Sequence, residues 1–323
     1  MTRAIVVREH GGPEVLIFEE VVVGKPGHGE VRVKVDAAGL NFIDVYHRTG
    51  LYPVDLPVIL GQEGAGRVTE TGPGVTGLAV GDLVAYSSTF GSYAEERVIA
   101  ADAVFKAPDG LEADVAAAIM LKGMTALYLL TMTWKLQKGE TILLHAAAGG
   151  VGLIASQWAR DIGARVIGTV GTGAKAQLAR DNGCDEVVIL DEEDFPSHVR
   201  DLTGGRGVDV VYDSIGKDSF EGSLKCLRPR GLMVSYGNSS GPVSVPSLGI
   251  LASGGSLYVT RPTSGHYFPD RAAREAGANA VFEMVLGGRI APIIGQTFPL
   301  AEAAAAHRAL EGRKTIGSTL LKP

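Results

Sequence analysis

Read by the alternation of its apolar and polar positions, the chain changes character twice. Residues 1 to about 120 hold short strand-type runs. Val31-Arg32-Val33-Lys34-Val35 alternates apolar and charged side chains, and Leu83-Val84-Ala85-Tyr86 follows a Gly81-Asp82 turn. Turn signals recur at Gly11-Gly12-Pro13, Gly72-Pro73-Gly74 and Pro108-Asp109-Gly110. Closely spaced strands with little helix predict a compact, barrel-like β domain. From about Leu121 strands alternate with helices. The pattern predicts strands over 141–144, 164–170, 186–190, 208–212, 231–236 and 256–260, with helices at 121–130, from 153 onward and at about 174–182. Six strands with intervening helices predict a doubly wound parallel sheet of the α/β class. Beyond Thr260-Arg261-Pro262 come helices at about 270–286 and 300–310, then a strand at 317–321 expected to rejoin the first domain. The expected organisation is a β-rich substrate domain at 1–122, a Rossmann domain at 123–261, and a return to the first domain over 262–323.

The run Thr141-Ile142-Leu143-Leu144 passes through His145-Ala146-Ala147-Ala148-Gly149-Gly150-Val151-Gly152 into a helical pattern. A strand turning through small residues into a helix suits a dinucleotide pyrophosphate: backbone N–H groups approach the phosphates, and the positive end of the helix faces them. Alanines stand where the usual motif has its first glycines, so this turn alone also fits an ordinary packing unit. Three further segments fall at the carboxyl ends of the expected strands: Gly171 to Lys175, Asp213-Ser214-Ile215-Gly216, and Tyr236-Gly237-Asn238-Ser239. Four such segments in register with one topology argue for a dinucleotide site. The second strand ends in Val170-Gly171-Thr172-Gly173, without the acid that would bond a ribose 2′-hydroxyl, and Lys175 follows. A hydroxyl and an ammonium suit a 2′-phosphate, so NADPH is expected over NADH.

Composition narrows the classes. Of 323 residues, 46% are hydrophobic and 20% charged, and 30 basic against 36 acidic residues leave a net charge of −6. That balance disfavours a nucleic-acid or anionic-membrane partner. Two cysteines, Cys184 and Cys226, exclude a disulfide scaffold and a four-cysteine zinc site, and read as inert small residues. The first residues read as a strand rather than a signal peptide, and no run of about 18 apolar residues stands out, so a cytoplasmic enzyme is expected.

Two segments of the first third look unlike scaffold. Gly39 to Arg48, with Gly50-Leu51-Tyr52-Pro53, packs Asn41, Asp44, Tyr46, His47 and Tyr52 into what reads as a short irregular region. Polar groups on aromatic bodies suit a flat pocket that orients a carbonyl, although a polar surface loop fits the spacing slightly better. His47, beside Arg48, reads as a surface residue rather than a proton donor. Glu63, in Leu60-Gly61-Gln62-Glu63-Gly64-Ala65-Gly66, is either the buried partner of a cation or a loop charge. Arg261, at the end of the sixth strand, is a candidate clamp for cofactor phosphate or substrate oxygen, against a surface ion pair. The acidic run Asp191-Glu192-Glu193-Asp194 reads as solvated surface.

The sequence resembles the zinc-free quinone oxidoreductases of the zeta-crystallin type, in the medium-chain dehydrogenase/reductase superfamily. Residues carrying the likeness include His10 to Leu16, Asn41-Phe42-Ile43-Asp44, Leu121-Lys122-Gly123-Met124-Thr125-Ala126, His145 to Gly152, Gly168 to Thr172, Gly237 to Gly241, and Gly255 to Pro262. The resemblance implies a GroES-like β-rich domain, a Rossmann domain, and NADPH held between them for hydride transfer to a quinone. Gln62 stands where zinc-bearing relatives have a ligand histidine, and Asn41 lies near the place of a ligand cysteine. Amides are poor zinc ligands, so no metal is expected.

By the same resemblance Asn41, Asp44, Tyr46 and Tyr52 line the nicotinamide and quinone site, with Asn41, Tyr46 and Tyr52 catalytic. Polarisation of the quinone carbonyl is expected from Asn41 or a Tyr hydroxyl. Gly149, Gly150 and Val151 meet the pyrophosphate, and Gly171, Thr172 and Lys175 hold the 2′-phosphate. Thr125, Ser214, Tyr236, Gly237, Asn238, Ser239 and Arg261 complete the cofactor site. Leu190 departs from the pattern, since close relatives often carry Tyr there against the adenine. A homodimer is implied, with the edge strand Ser256 to Thr260 as its seam. Two other readings remain open: reduction of an activated C=C bond in an enal or enone, with Tyr46 or Tyr52 as acid, and a non-catalytic NADPH-binding or RNA-binding crystallin-like protein.

Overall fold

The computed structural model describes residues 1–245 and 247–323. They divide into two compact units. Unit 1 comprises 1–124, 270–288 and 292–323; unit 2 comprises 125–269 and 289–291.

Unit 1 begins with β1 (Thr2–Val7), β2 (Ile17–Val21) and β3 (Glu30–Leu40). In β3 the alternation read from the sequence holds: Val31, Val33 and Val35 are buried, while Arg32 and Lys34 point away. After helix α1 (Phe42–Arg48) come β4 (Val58–Ile59), β5 (Glu63–Thr71), β6 (Leu83–Ser87), β7 (Glu96–Ala100) and β8 (Phe105–Lys106). The segment expected to be irregular is thus largely helix α1. Asp44 accepts a hydrogen bond from the Asn41 N–H, which starts the helix by satisfying a donor that no helical carbonyl can reach.

Helix α2 (Ala113–Tyr128) starts eight residues before the helix expected from Leu121, because Asp114 and four alanines extend the pattern backward. It runs on as a π-turn over Leu129–Thr133. By length and composition residues 113–133 are apolar enough to cross a membrane, a run the sequence reading missed, and 67% of the apolar window is buried in the protein.

Unit 2 carries the parallel sheet: β9 (Thr141–Leu144), α3 (Gly150–Ile162), β10 (Arg165–Val170), α4 (Gly173–Asp181), β11 (Glu186–Ile189), α5 (Phe195–Leu202), β12 (Val208–Asp213), α6 (Phe220–Cys226), β13 (Leu227–Ser235), α7 (Gly249–Ser253), β14 (Tyr258–Thr260) and α8 (Ser264–Tyr267). The strand order is β11-β10-β9-β12-β13-β14, with every pairing parallel. Every residue of β9 and β12 is buried, as befits strands covered on both faces. Gly163 ends α3 at φ 90°, a left-handed cap that a side chain would strain. At the sheet's outer edge, Tyr258 of β14 is 60% exposed.

The chain then returns to unit 1 with α9 (Arg271–Leu286), β15 (Ile294–Pro299), α10 (Ala303–Glu311) and β16 (Ser318–Lys322). β16 pairs antiparallel with β3, completing the sheet order β15-β16-β3-β5-β6-β8, with β7 also on β3; β1, β2 and β4 form a second sheet. The crowding of β3 against β5 is tight at Gly66, where a Cβ would stand 2.1 Å from the Lys34 carbonyl oxygen. We expect Gly66→Ala to destabilise the protein by about 1–3 kcal/mol. Urea unfolding checks this; an unchanged midpoint would show that the strands yield freely.

Candidate active site

The turn after β9 is built from backbone. Ala146 adopts φ +53°, a left-handed conformation that costs an alanine about 1 kcal/mol or more. It sets the turn so that a Cβ on Gly152 would lie 2.3 Å from the Ala146 carbonyl oxygen. Only glycine lets α3 come this close. Gly149 precedes the helix in extended conformation with no side-chain cap, so the N–H groups of the first turn, at Gly150 and Val151, have no partner within the helix. Such an end suits an anion.

Along the sheet, five adjacent strands deliver the residues expected at their carboxyl ends. Gly149 to Val151 follow β9, Gly171 to Lys175 follow β10, Ser214 follows β12, Tyr236 to Ser239 follow β13, and Arg261 follows β14. Thr125 lies on α2, half-buried. A Cβ on Gly171 would meet nothing within 4 Å, and Thr172 stands extended before α4 without making a side-chain cap, so this corner has room and a hydroxyl to offer. An exposed carboxylate from the next loop, Glu192, reaches within 3.9 Å of a Gly173 Cβ, but it is not part of the strand end. The residues fit a 2′-phosphorylated dinucleotide. Arg261 departs from its expected clamp role in one respect: Nη1 donates to the Ser235 and Gly237 carbonyls and so holds the 235–237 turn in place.

Behind these strand ends lies a buried polar network. Ser219 and Ser223 hydroxyls donate to Asp213 Oδ2, at 2.6 and 3.0 Å, and the Ile215 and Gly216 N–H groups donate to Oδ1. With its proton spent on Asp213, Ser223 Oγ accepts from His145 Nε2 at 2.9 Å; Nδ1 then accepts from Thr169. Burial lowers the proton affinity of His145, so the ring stays neutral. Serine, histidine and aspartate meet here in an order that activates no nucleophile, and all are shut off from solvent. The network ties β9, β10 and β12 together. Cys184 and Cys226 are buried and their thiols pushed up to about 12 by desolvation, consistent with inert packing.

In unit 1 the expected site residues gather on α1 and the loop after it. The Tyr46 and Tyr52 rings lie 5.1 Å apart, and the Tyr52 N–H donates to the Tyr46 carbonyl. His47 is no surface residue: its ring is buried edge-on to Phe90 at 4.8 Å and to Tyr52 at 5.7 Å, and burial lowers its proton affinity. Arg48 is buried as well.

Glu63 proves to be the buried partner of a cation. Lys122 Nζ donates to its Oε2 at 2.5 Å, the Leu121 N–H donates to Oε1, and Asn41 Nδ2 donates to Oε2 at 2.9 Å. Asn41 Nδ2 also reaches the Gly39 carbonyl at 3.3 Å. Both neighbours are acceptors, which orients the amide and turns Oδ1 toward the first turn of α1, where it accepts the Asp44 N–H in a capping box. The Asn41 N–H groups are thus committed inward, to Glu63 and the Gly39 carbonyl. Sequence reasoning had left Lys122 without a role, although a lone lysine on an apolar helix implies a buried counter-charge. Among the described residues no group of three His, Cys, Asp or Glu side chains is placed to hold a metal.

We expect Lys122→Met to cost about 3–5 kcal/mol by stranding the Glu63 charge, and a second change, Glu63→Gln, to recover most of it. Denaturation of the single and double variants measures this; equal stabilities would refute it.

Residues 27–109 match the alcohol dehydrogenase GroES-like domain, and residues 150–276 match the zinc-binding dehydrogenase domain. A quinone oxidoreductase of Pseudomonas aeruginosa is 50% identical over the whole of both chains. A 2-haloacrylate reductase of a Burkholderia species is 46% identical, covering 100% of this chain and 99% of the relative. The crystal structure of Escherichia coli quinone oxidoreductase complexed with NADPH superposes with a TM-score of 0.97 at 46% identity, covering 99% of this chain and 100% of that one. With full-length identity at this level, a GroES-like segment and a parallel sheet with a dinucleotide turn, the chain belongs to the quinone oxidoreductase family of the medium-chain dehydrogenase/reductase superfamily.

Proposed function

We propose that the protein is an NADPH-dependent oxidoreductase that reduces quinones by hydride transfer, without a metal. The observation that carries the cofactor is the acid-free end of β10, open at Gly171 and followed by Thr172 and Lys175. Quinone oxidoreductases of near-equal length, one crystallised with NADPH, support the substrate class.

When bound, NADPH supplies the hydride. Everything else falls to the chain. The N–H groups at Gly150 and Val151 hold the pyrophosphate, while Gly171, Thr172 and Lys175 take the 2′-phosphate. Thr125, Ser214, Tyr236, Gly237, Asn238 and Ser239 line the rest of the cofactor, with Arg261 bracing the 235–237 turn. Asn41, whose side chain also caps α1, would line the nicotinamide end of the site. The Tyr46 and Tyr52 hydroxyls donate to the acceptor's carbonyl oxygen as it gains electrons, in an environment their rings keep dry.

The same groups serve reduction of an activated C=C bond, where a Tyr hydroxyl protonates the neighbouring carbon. The full-length similarity to a 2-haloacrylate reductase favours this as a second activity. A third reading, nucleic-acid binding without catalysis, fits poorly with the net charge of −6. We place the enzyme in the cytoplasm, away from membranes, as a homodimer joined through β14, whose Tyr258 and Val259 are exposed at the sheet edge.

Stopped-flow oxidation of NADPH by a panel of benzoquinones tests the reading; no turnover with any of them would sink it. Replacing Lys175 with Ala is expected to weaken NADPH binding by about tenfold, the worth of one charge-assisted contact, and to leave NADH binding unchanged. Equal losses for both cofactors would place the lysine elsewhere than at the 2′-phosphate.

A further inference from the structure

Beneath α1 lies a chain of buried hydrogen bonds with only one possible direction. Arg48, 1% exposed, pairs with Glu311 at 2.7 Å and lies 3.0 Å through Nη1 from His307 Nδ1. A guanidinium only donates, so Nδ1 is the acceptor and the proton of the neutral ring sits on Nε2. Burial, reinforced by the Arg48 charge, lowers His307 to about 3, which keeps the ring neutral. Nε2–H therefore donates to the Tyr93 hydroxyl at 3.3 Å, and the Tyr93 O–H donates to Asp44 Oδ2 at 3.1 Å. Oδ2 also accepts the Asn41 N–H at 2.9 Å. Asp44 Oδ1 is buried and accepts no hydrogen bond from a described residue.

We propose that Asp44, Tyr93 and His307 are positioning residues for the reaction: whether Asp44 holds a proton decides how the first turn of α1 presents Asn41. The inference rests on the functional reading above. The two donors saturate Oδ2, so an added proton goes to Oδ1. Ionised, Asp44 grips the Asn41 N–H with a charge-assisted bond; neutral, it grips more weakly. The groups facing it balance closely. Burial disfavours the carboxylate, while the Asn41 and Tyr93 donors and Lys122 on α2 favour it, and Glu63 on β5 opposes it, with the net result that Asp44 is pushed up to about 7. Arg48 and His307 act on it through Tyr93.

Three proteins test this. Asp44→Asn is the neutral mimic: its amide oxygen takes the place of Oδ2 and its NH2 that of Oδ1. Wild-type kcat/KM for a benzoquinone should change through one midpoint near pH 7, and Asp44→Asn should hold the wild type's acid-side rate at every pH. Tyr93→Phe removes one donor to the carboxylate and leaves the ring in place, so its midpoint should rise by about one pH unit or more. In ligand-free protein the infrared carbonyl band of a protonated carboxyl should titrate with the same midpoint, move with Tyr93→Phe and vanish in Asp44→Asn. Folded Tyr93→Phe with an unmoved band overturns the chain. A band that moves while the rate profile stays flat overturns the role in the reaction. Absence of any quinone turnover by wild type, whatever the band does, overturns the functional reading instead.

Discussion

Parallel strands must all leave their sheet at the same edge, and in unit 2 that constraint does most of the assembly. Six strands paired in parallel bring the turns after β9, β10, β12, β13 and β14 to one rim, although the residues concerned lie as far apart in sequence as Gly149 and Arg261. The rim works only if those turns are firm. Asp213, fully bonded by two hydroxyls and two N–H groups, and His145, between Thr169 and Ser223, lock neighbouring strands where they end. Ala146 and Gly152 divide the work that two glycines usually do: one accepts a left-handed conformation, and the other leaves the space.

Unit 1 answers a different constraint. Its site residues sit over charges that cannot stay buried alone. Glu63 needs Lys122, and in taking a hydrogen bond from Asn41 it also decides which end of that amide faces outward. Arg48 needs Glu311, and in donating to His307 it sets the direction of every bond up to Asp44. Buried polar groups of this kind add little net stability, but they leave few alternative arrangements. The orientation of Asn41 and Asp44 follows from that scarcity.

Much of this was legible beforehand, and for physical reasons. Residues 141–260 could be read because parallel strands are buried on both faces and show as short apolar runs punctuated by glycine. The lack of an acid after Val170 spoke about the cofactor because carboxylate and phosphate repel. Where the reading failed, the deciding partner was far away in sequence. The turn at Asn41 was read as irregular although Asp44 starts a helix there. His47 reads as a surface residue although Phe90 covers it. Asn41 reads as a donor to substrate, although Glu63, 22 positions away, and the Gly39 carbonyl take its two N–H groups.

Local pattern by itself therefore determined the order of strands and helices, the parallel sheet and the residues at its strand ends, because periodicity and turn chemistry act over a few positions. Only the tertiary structure decided which way the polar groups point. A hydrogen bond's direction depends on whether the atom opposite can donate or only accept, and at Asn41, His307 and Asp44 that atom comes from another part of the chain.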